Sequence, residues 1–391
     1  MTNFLQPADW SFPIPIHYGP GRLADLPRLC REQCIARPMI VTDRGSAGLP
    51  FLEDATRLLA EAGISSTVFY DVDPNPTDSN IFAGKTAFEQ GGHDGIIALG
   101  GGSGLDGGKA IALLAGQGKQ DLWAFDLDHP PEKGPPQIDT FVPLICVPTT
   151  AGTGAETEST SMIIQVERGA KRCVWHKNLK PCAALLDPEI TVGLPRNLTV
   201  WTGLDALTHA IEAYSVDAFH PICDGAALEG LRLVHTHLDR SAAQPDSLAD
   251  RGGMMVGSCL AGVSFLKGLG LVHAMAHMIG AEFNTHHGLT NAVLLPVVLR
   301  FNEATLGAKA RIMAQAIGLE DQSFNGLYKA ICALLDRQGI PVGLRDLGVT
   351  REALPRIAGK AHHDGCRATN PRPSTRQEIE ALLNEAFEAG R

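Results

Sequence analysis

Two short segments in the second half of the chain carry side chains of the types that bind metal ions. Asp205 and His209 stand four residues apart, which places both on one face of a helix. His273 and His277 repeat this spacing, and two adjacent histidines follow at positions 286 and 287. One carboxylate and several imidazoles in such a pattern predict a site for a divalent metal ion.

A buried histidine without a metal is the alternative interpretation of each position taken singly, because most histidines on apolar helices are hydrogen-bonded core residues. Around His273 and His277, however, the neighbours are mostly apolar or small. Burying two imidazoles and the Asp205 carboxylate there without a cation would be costly. The donor set suits Fe(II), Zn(II), Co(II) and Ni(II), so ligand chemistry alone leaves the metal open.

A glycine-rich turn in the first half has the context of a phosphate-binding loop. Gly95–Leu99 is predicted to be a strand, Gly100–Ser103 a turn, and Leu105–Ala115 a helix. Backbone N–H groups at such a helix N-terminus bind phosphate, so a pyrophosphate is the expected ligand. The run is not the G-x-G-x-x-G fingerprint, and a tight turn without a ligand remains the alternative.

Further polar residues stand near this turn in the predicted topology. Asp43 ends an earlier strand, where its carboxylate could bind an adenosine ribose and repel a 2′-phosphate, or form an Asx turn with Gly45. Thr149–Gly154 is a second, hydroxyl-rich turn after a strand. Asp106 and Lys109 lie in the first turns of the predicted helix. Each also has an interpretation without a ligand: Asp106 could interact with the helix macrodipole, and Lys109 could lie on a solvated face of the helix.

The first half alternates strand and helix patterns. Predicted strands cover Met39–Asp43, Ser66–Val72, Gly95–Gly100 and Phe141–Val147, and predicted helices cover Glu53–Ala62, Ile81–Gln90 and Leu105–Ala115. This succession predicts a parallel sheet covered by helices on both faces, with ligands at the carboxyl ends of the strands.

The second half is predicted to be helical, as in Asp224–Leu238 and Gln377–Glu388. A chain of 391 residues exceeds the size of one typical core, so we expect two domains. The prediction is an α/β Rossmann-like dinucleotide-binding domain over residues 1–194 and an all-α metal-binding domain over residues 195–391. The active site is expected in the cleft between them.

Composition excludes several function classes. The net charge of −10, without any lysine- and arginine-rich run, argues against nucleic-acid binding. Nine scattered cysteines, never spaced as Cys-x-x-Cys, are typical of a reducing compartment. The N-terminal residues do not resemble a signal peptide, and no segment approaches the ~20 apolar residues that span a bilayer. We therefore expect a cytoplasmic protein without a membrane partner.

Taken together, the motifs resemble the iron-containing (group III) alcohol dehydrogenases, which are related in fold to glycerol dehydrogenase and dehydroquinate synthase. The resemblance spans nearly the whole chain and implies a dehydroquinate synthase-like fold. It rests on Pro74–Thr77, Gly100–Ser103 with Asp106 and Lys109, Pro148–Gly154, Gly203–Tyr214, Gly268–His277, His287–Ala292 and Asn370–Arg372.

This resemblance implies a set of site residues. The metal ligands would be Asp205, His209, His273 and His287, with Fe(II) as the metal and Zn(II) as an alternative. His277 would lie beside the nicotinamide and substrate as a proton-relay group. The nucleotide-binding positions would be Asp43, Asn75, Gly101, Gly102, Ser103, Asp106, Thr149, Thr150, Thr153 and Lys171, and Asp43 implies NAD rather than NADP. A homodimer or larger assembly is also implied.

The chain departs from the family pattern at a few positions. Gly104 and His286 stand where the family usually has proline, and the His-Gly-x-x-Asn-Ala frame selects His287, not His286, as the ligand. Glu158 and the stretch 175–177 are less typical. These differences leave the expected chemistry intact but point to a different substrate pocket.

The expected reaction is hydride transfer between a small alcohol or aldehyde and the nicotinamide, with the metal as Lewis acid. Three alternatives remain at this point: a lyase of the dehydroquinate synthase type, a metal-dependent hydrolase, and a non-catalytic sensor of metal or nucleotide. Net NADH production distinguishes the dehydrogenase from the lyase and the sensor, and activity without nucleotide would indicate the hydrolase.

Overall fold

A computed structural model of the chain describes residues 14–116, 121–128, 130–132, 134–138, 140–389 and 391. Residues 1–13, on which the expectation about a signal peptide rests, lie outside this part. The described residues form two compact units. An α/β unit contains residues 14–195 together with 244–255, and a helical unit contains residues 196–243 and those from 256 onward.

The α/β unit is built on a six-stranded sheet within the described residues, with strand order β1-β8-β5-β4-β2-β3. Every neighbouring pair in this sheet is parallel, as predicted. Its strands are β1 (Ile16–Tyr18), β2 (Pro38–Asp43), β3 (Thr67–Val72), β4 (Gly95–Gly100), β5 (Leu144–Pro148) and β8 (Ala183–Leu186). A separate antiparallel hairpin consists of β6 (Thr160–Gln165) and β7 (Ala170–Trp175).

The three predicted helices of this unit begin three residues earlier than the sequence pattern indicates, and a further helix, α1 (Leu26–Glu32), was not predicted. The predicted helices are α2 (Pro50–Glu61), α3 (Asp78–Gly91) and α4 (Gly102–Ala115). Helix α2 begins at Pro50 because proline is favourable in the first turn. Helix α3 begins after Thr77, whose side chain forms a capping box with Asn80. A prediction based on the spacing of apolar residues misses the first turn of these helices, because that turn consists of polar capping residues, prolines and glycines.

The core of the unit lies on both faces of the sheet. Every residue of β4 is buried. Ile96 and Ala98 pack in one apolar cluster with Ile111 of α4, whereas Ile97 and Leu99 pack in another with Leu59 of α2. Successive side chains of a strand point to opposite faces of the sheet. Because both faces of β4 are covered, its sequence is a continuous apolar run.

The carboxyl ends of the central strands lie together. Gly100, at the end of β4, pairs with Pro148 of β5, and the Thr149 backbone N–H donates to the Gly100 carbonyl at 2.9 Å. A Cβ on Gly100 would lie 3.2 Å from Oδ2 of Asp43, at the end of β2. The predicted polar residues therefore meet at one edge of the sheet.

The helical unit surrounds one central buried helix. In α5 every residue from Thr202 to Ser215 is buried, as expected for a helix covered on all sides. Helices α6 and α9 pack most extensively against it. The helices that follow α4 along the chain are α5 (Arg196–Ser215), α6 (Pro221–Ala243), α7 (Leu248–Ser264), α8 (Leu271–Phe283), α9 (His287–Leu306), α10 (Ala308–Ala316), α11 (Phe324–Arg337), α12 (Leu354–Ala361), α13 (Gly365–Thr369) and α14 (Arg376–Ala389). Residues 248–255 of α7 belong to the α/β unit.

Among the described residues, no single helix is both long and apolar enough to cross a membrane. Leu248–Lys267 and Leu271–Phe283 reach that length and composition only as a pair, which is bent by 104°.

Candidate metal and nucleotide sites

Four side chains of the helical unit converge on one point. Each of them offers a ligand atom that lies within 4.8 Å of the other three. Asp205 Oδ1 is 3.6 Å from His287 Nε2, 3.8 Å from His273 Nε2 and 3.9 Å from His209 Nε2. Asp205, His209 and His273 are buried, and His287 is partly exposed. The structure thus brings together the four residues named as metal ligands by the resemblance.

Local packing explains how three helices meet here. Asp205 and His209 occupy one face of α5. Gly288, next to His287 at the start of α9, lies so close to α5 that a Cβ would overlap the Trp201 carbonyl and approach Asp205 Cβ to 3.0 Å. Gly270, just before α8, lies similarly close to α5: a Cβ on Gly270 would be only 2.7 Å from Oε1 of Glu212. Glycine at both positions permits the close approach of the helices.

Burial and neighbouring charges have opposite effects on the pKa values of this cluster. Burial raises the pKa of Asp205, but the imidazoles of His209, His287 and His273 outweigh this effect and hold that pKa below its usual range. Burial lowers the pKa of His273, whereas hydrogen bonds with Asp205 and Glu212 raise it to about 9. Asp205 is therefore an ionised carboxylate in a water-poor environment.

Two supporting residues were not assigned from the sequence. Glu212 Oε2 lies 2.6 Å from His273 Nδ1, and its Oε1 accepts from the Val272 backbone N–H at 2.8 Å. Asn291 Nδ2 donates to Asp205 Oδ1 at 2.7 Å. Glu212 stands three residues after His209 on α5, so helix spacing offered a signal for it. Such partners orient metal-binding histidines and carboxylates.

His277 lies directly beside this cluster. Its ring stacks on that of His287, with centroids 5.5 Å apart and an interplanar angle of 11°. The His273 ring is 6.0 Å away, edge to face. His277 Nδ1 lies 2.9 Å from Asp364 Oδ2, and both residues are buried. His286 instead caps α9 and packs against Trp201, outside the group of four.

The residues of the cluster fit a divalent metal ion. One carboxylate and three imidazoles are donors that Fe(II) and Zn(II) both accept. The carboxylate is ionised, and three of the four groups are buried, so a bound cation would offset the cost of their burial.

The glycine turn lies between the end of β4 and the start of α4. Gly101 precedes the first residue of α4, Gly102, so the turn leads directly into a helix N-terminus. A Cβ on Gly102 would lie 2.5 Å from Thr153 Cγ2, and one on Gly101 would lie 3.4 Å from Thr150 Cγ2. The two predicted turns therefore pack directly against each other, and a side chain at Gly102 would overlap Thr153.

Most remaining nucleotide-binding candidates lie near this turn. Ser103 Oγ donates to the Pro74 carbonyl, which precedes Asn75. Lys171 Nζ lies 3.4 Å from Asn75 Oδ1. Burial raises the pKa of Asp106, and Lys109 and Lys171 oppose that shift, so β7 also contributes to the surroundings of the turn.

Asp43 forms a turn, but not the one anticipated. Its Oδ1 accepts from the Ser46 N–H at 3.1 Å and its Oδ2 accepts from Ser46 Oγ at 2.8 Å. The Asp43 carboxylate therefore bonds to Ser46, three residues on, instead of forming the predicted Asx turn with Gly45. Asp43 is partly exposed at the end of its strand.

The solvated-face interpretation of Lys109 is wrong. Lys109 is fully buried, donates to the Ala155 carbonyl at 2.7 Å, and has Nζ 3.7 Å from Asp106 Oδ1. Helix α4 is almost entirely buried against β4, since a Cβ on Gly108 would lie 2.5 Å from Ala98 Cβ. A helix packed this closely has no solvated side at that position.

Two buried glutamates, Glu156 and Glu158, follow the hydroxyl-rich turn, and we call them the acid pair. Both are 2% exposed. Burial raises the pKa of Glu156 to about 7 and that of Glu158 to about 8, although Lys109 opposes both shifts. In the described part of the chain, Glu158 Oε1 has no hydrogen-bond partner. The acid pair was not predicted as a unit, and only the atypical Glu158 gave a signal.

Comparisons with known proteins match both halves of the chain. Residues 13–188 match the sequence model of the iron-containing alcohol dehydrogenases, and residues 199–387 match that of the C-terminal part of the Fe-containing alcohol dehydrogenase family.

Individual relatives match over nearly the full length. The chain is 32% identical to an NAD-dependent methanol dehydrogenase of Bacillus methanolicus, over 99% of this chain and 100% of the other. It is 34% identical to a 1,3-propanediol dehydrogenase of Klebsiella pneumoniae, over 97% and 98%. A crystal structure of a 1,3-propanediol oxidoreductase superposes with a TM-score of 0.91 at 34% identity, covering 98% of this chain and 100% of that one.

Proposed function

Since this chain belongs to the iron-containing alcohol dehydrogenase family, we propose that it transfers hydride between a small alcohol or aldehyde and NAD, with Fe(II) as the metal. It is an oxidoreductase that acts on CH–OH groups. The observation that supports the proposal most directly is the convergence of Asp205, His209, His273 and His287. The relatives are dehydrogenases, which favours hydride transfer over the lyase, hydrolase and sensor alternatives.

When bound, the metal supplies Lewis acidity towards an alcohol or carbonyl oxygen, and NAD supplies the hydride acceptor. The four ligands hold the cation, with Zn(II) as the alternative to Fe(II). Glu212 fixes the ring of His273 through Nδ1, and Asn291 fixes Asp205 through Oδ1. His277, stacked on His287, accepts the proton that leaves the alcohol and passes it towards solvent.

The nucleotide would bind in the α/β unit. The turn Gly101–Ser103 and the N-terminus of α4 hold the pyrophosphate through backbone N–H groups. Asp43 accepts hydrogen bonds from the adenosine ribose, which selects NAD over NADP. The other contacts are assigned to Asn75, Asp106, Thr149, Thr150, Thr153 and Lys171. The proposal also includes a nucleotide-binding domain over residues 1–194 and a metal-binding domain over residues 195–391, although residues 244–255 pack with the first of these.

The substrate, assembly and location are also proposals. The names of the relatives favour small primary alcohols and diols, and the family favours a homodimer or larger assembly. All nine cysteines are free thiols, which supports a cytoplasmic location. The net charge of −10 argues against nucleic acid as a partner, and we propose no membrane partner.

The test is NADH formation with a panel of primary alcohols and diols. Metal-free protein is reconstituted separately with Fe(II) under anaerobic conditions and with Zn(II), and both are assayed with NAD and with NADP. We expect metal-dependent NADH formation and little activity with NADP. Tight binding of NAD and metal without net NADH would contradict hydride transfer and favour the lyase or the sensor.

The role of His277 is tested separately. We expect His277→Ala to lower kcat by about 10²–10⁴-fold, the usual contribution of general acid–base catalysis, while metal content stays at one ion per chain. An unchanged rate with an unchanged pH profile would rule out the proton-relay role.

A further inference from the structure

The environment of His277 distinguishes its two ring nitrogens. Nδ1 lies 2.9 Å from Oδ2 of Asp364, and the two residues are 6% and 7% exposed. Burial raises the pKa of Asp364, but His277 and contacts with Cys366 outweigh it and hold that pKa below its usual range. Asp364 is therefore an ionised acceptor, and an acceptor at Nδ1 requires the imidazole proton on that atom.

The carboxylate of Asp364 is itself held in place. It caps the short helix α13, with Oδ1 accepting from the Cys366 N–H at 2.9 Å. The far end of this segment is tied to the start of α8: Thr369 Oγ1 donates to the Leu269 carbonyl at 2.7 Å, and Asn370 Oδ1 accepts from the Leu271 N–H at 3.2 Å. The segment 364–370 is thus anchored to α8, the helix that carries His277.

A second histidine of α8 has the same arrangement. Glu212 Oε2 lies 2.6 Å from Nδ1 of His273, one helical turn before His277. Two carboxylates from different parts of the chain therefore contact the same ring nitrogen of two successive histidines. For His273 this leaves Nε2 facing Asp205, at 3.8 Å. The repetition indicates that ring orientation matters at both positions.

We propose that Asp364 is the positioning residue of His277: its carboxylate holds the imidazole proton on Nδ1 and so leaves Nε2 to take the proton of the alcohol. This inference rests on the proposed function, in which His277 is the proton relay. Asp364 acts through His277 and contacts neither substrate nor cofactor in this role.

Another arrangement of the same atoms is a second metal site. His277, Asp364 and Cys366 offer ligand atoms within 4.8 Å of one another. Asp364 already uses Oδ2 for His277 and Oδ1 for Cys366 N–H, so the hydrogen-bonded arrangement accounts for both oxygens. A second bound metal equivalent is the outcome that would replace our proposal.

The experiment combines a double-mutant cycle with a measurement that does not depend on activity. Asp364→Asn and Asp364→Ala are made in the wild-type chain and in His277→Ala, and all are assayed as the metal-loaded enzyme with NAD and a primary alcohol. Asp321→Asn is the matched control. Oδ1 of Asp321 accepts a hydrogen bond from the backbone N–H of Ser323 at 3.0 Å, just as Oδ1 of Asp364 accepts one from Cys366. Histidine ¹⁵N spectra of the zinc-loaded protein report which ring nitrogen carries the proton.

We expect both Asp364 variants to lower kcat by about 10–100-fold, with the KM for NAD and the metal content unchanged. In the His277→Ala background the further loss should be less than about twofold, since the residue through which Asp364 acts is absent. The wild-type spectrum should show the His277 proton on Nδ1, and Asp364→Asn should shift it towards Nε2. Asp321→Asn should leave both readouts unchanged.

Three results would overturn the proposal. The first is a wild-type spectrum that shows the His277 proton on Nε2. The second is that the Asp364 variants lower kcat equally in the wild-type chain and in His277→Ala. The third is a second bound metal ion per chain that Asp364→Ala removes. If Asp364→Ala does not fold, the isosteric variant Asp364→Asn and the wild-type spectrum still test the proposal. An absence of NADH formation by the wild-type enzyme would refute the proposed function instead, because the spectrum tests the Asp364 contact independently of turnover.

Discussion

Asp205 in the helical unit and Glu158 in the α/β unit are both 2% exposed, yet their pKa values move in opposite directions. Around Asp205 three imidazoles outweigh the effect of burial, and its pKa falls. Around Glu158 burial dominates over Lys109 and Lys180, the neighbouring Glu156 adds repulsion, and the pKa rises to about 8. Equal burial therefore yields a carboxylate in one unit and a carboxylic acid in the other.

The difference shows that neighbouring charge, not depth, decides the protonation state of these buried acids. The Asp205 carboxylate is ionised, which is the form of this side chain that binds a metal ion. The acid pair has Lys109 as a buried counter-ion but two carboxyl groups to balance, so at pH 7 Glu156 is about half ionised and Glu158 is mostly protonated. The following changes are designed to abolish or refine this contrast.

The largest effect is expected from Asp205→Asn. This change removes the negative charge at the centre of the histidines while keeping the shape of the side chain. We expect loss of bound metal and a fall in kcat of roughly 10³-fold or more, because the Lewis acid is lost. NADH formation and metal content by mass spectrometry measure both. Asp217→Asn, at a 75% exposed side chain paired with Lys309, is the control. Full metal content in Asp205→Asn would contradict the ligand assignment.

Removal of the buried cation should have the next largest effect. In Lys109→Met the acid pair and Asp106 lose their counter-charge and the Ala155 carbonyl loses its donor. Breaking a buried charge network costs roughly 3 kcal/mol, which denaturant unfolding can measure. Arg28→Met, which removes an exposed pair with Glu32, should leave the free energy of unfolding almost unchanged. Similar losses in the two variants would mean that Lys109 balances no buried charge.

Glu158→Gln should stabilise the protein, but only when the wild-type residue would have to ionise. The pKa of Glu158 is raised from 4.5 to about 8, so the wild type loses stability as pH rises between these values. The variant avoids that loss: its advantage should be nearly absent at pH 4, reach about 2 kcal/mol at pH 6 and increase further towards pH 8. Unfolding measured across this range tests the sign. An advantage that stays constant with pH would show that Glu158 does not titrate as described.

The smallest expected effect concerns Asp43, a partly exposed carboxylate that belongs to neither cluster. Asp43→Ser removes the charge that would repel a 2′-phosphate. We expect the ratio of kcat/KM for NAD over NADP to fall by roughly tenfold, equivalent to about 1.4 kcal/mol. Asp71→Ser, at a surface pair with Arg44, should not change the ratio. An unchanged ratio in Asp43→Ser would remove the assigned role.

Much of the α/β unit could be predicted from local patterns. The strands β2, β4 and β5 are continuous apolar runs, and the polar residues that follow them mark the carboxyl edge. Strand β1 and the β6–β7 hairpin carry weaker signals. β1 has three residues, of which Ile16 and Tyr18 are exposed, and β6 alternates buried and half-buried positions with many polar side chains.

Within the sites, short-range spacing was informative and long-range partners were not. The pair Asp205 and His209 can be found from helix geometry alone. Asp364 contacts His277 from a distant part of the chain, and the local sequence around either residue does not predict that contact. Lys109 was misread because lysine is rarely buried. Only the packing of α4 reveals that it faces Ala155 and Asp106.

The topology of the sheet also constrains the order of folding during synthesis. Strand β1 is among the first described segments to leave the ribosome, yet its partner in the sheet is β8, with Ile16 beside Ala184. Asp187, just after β8, then accepts from the Leu23 N–H at 2.8 Å. At ~5–20 residues per second, β1 waits on the order of ten seconds or more for its partner. Until then its exposed Ile16 and Tyr18 are available to chaperones or to neighbouring nascent chains.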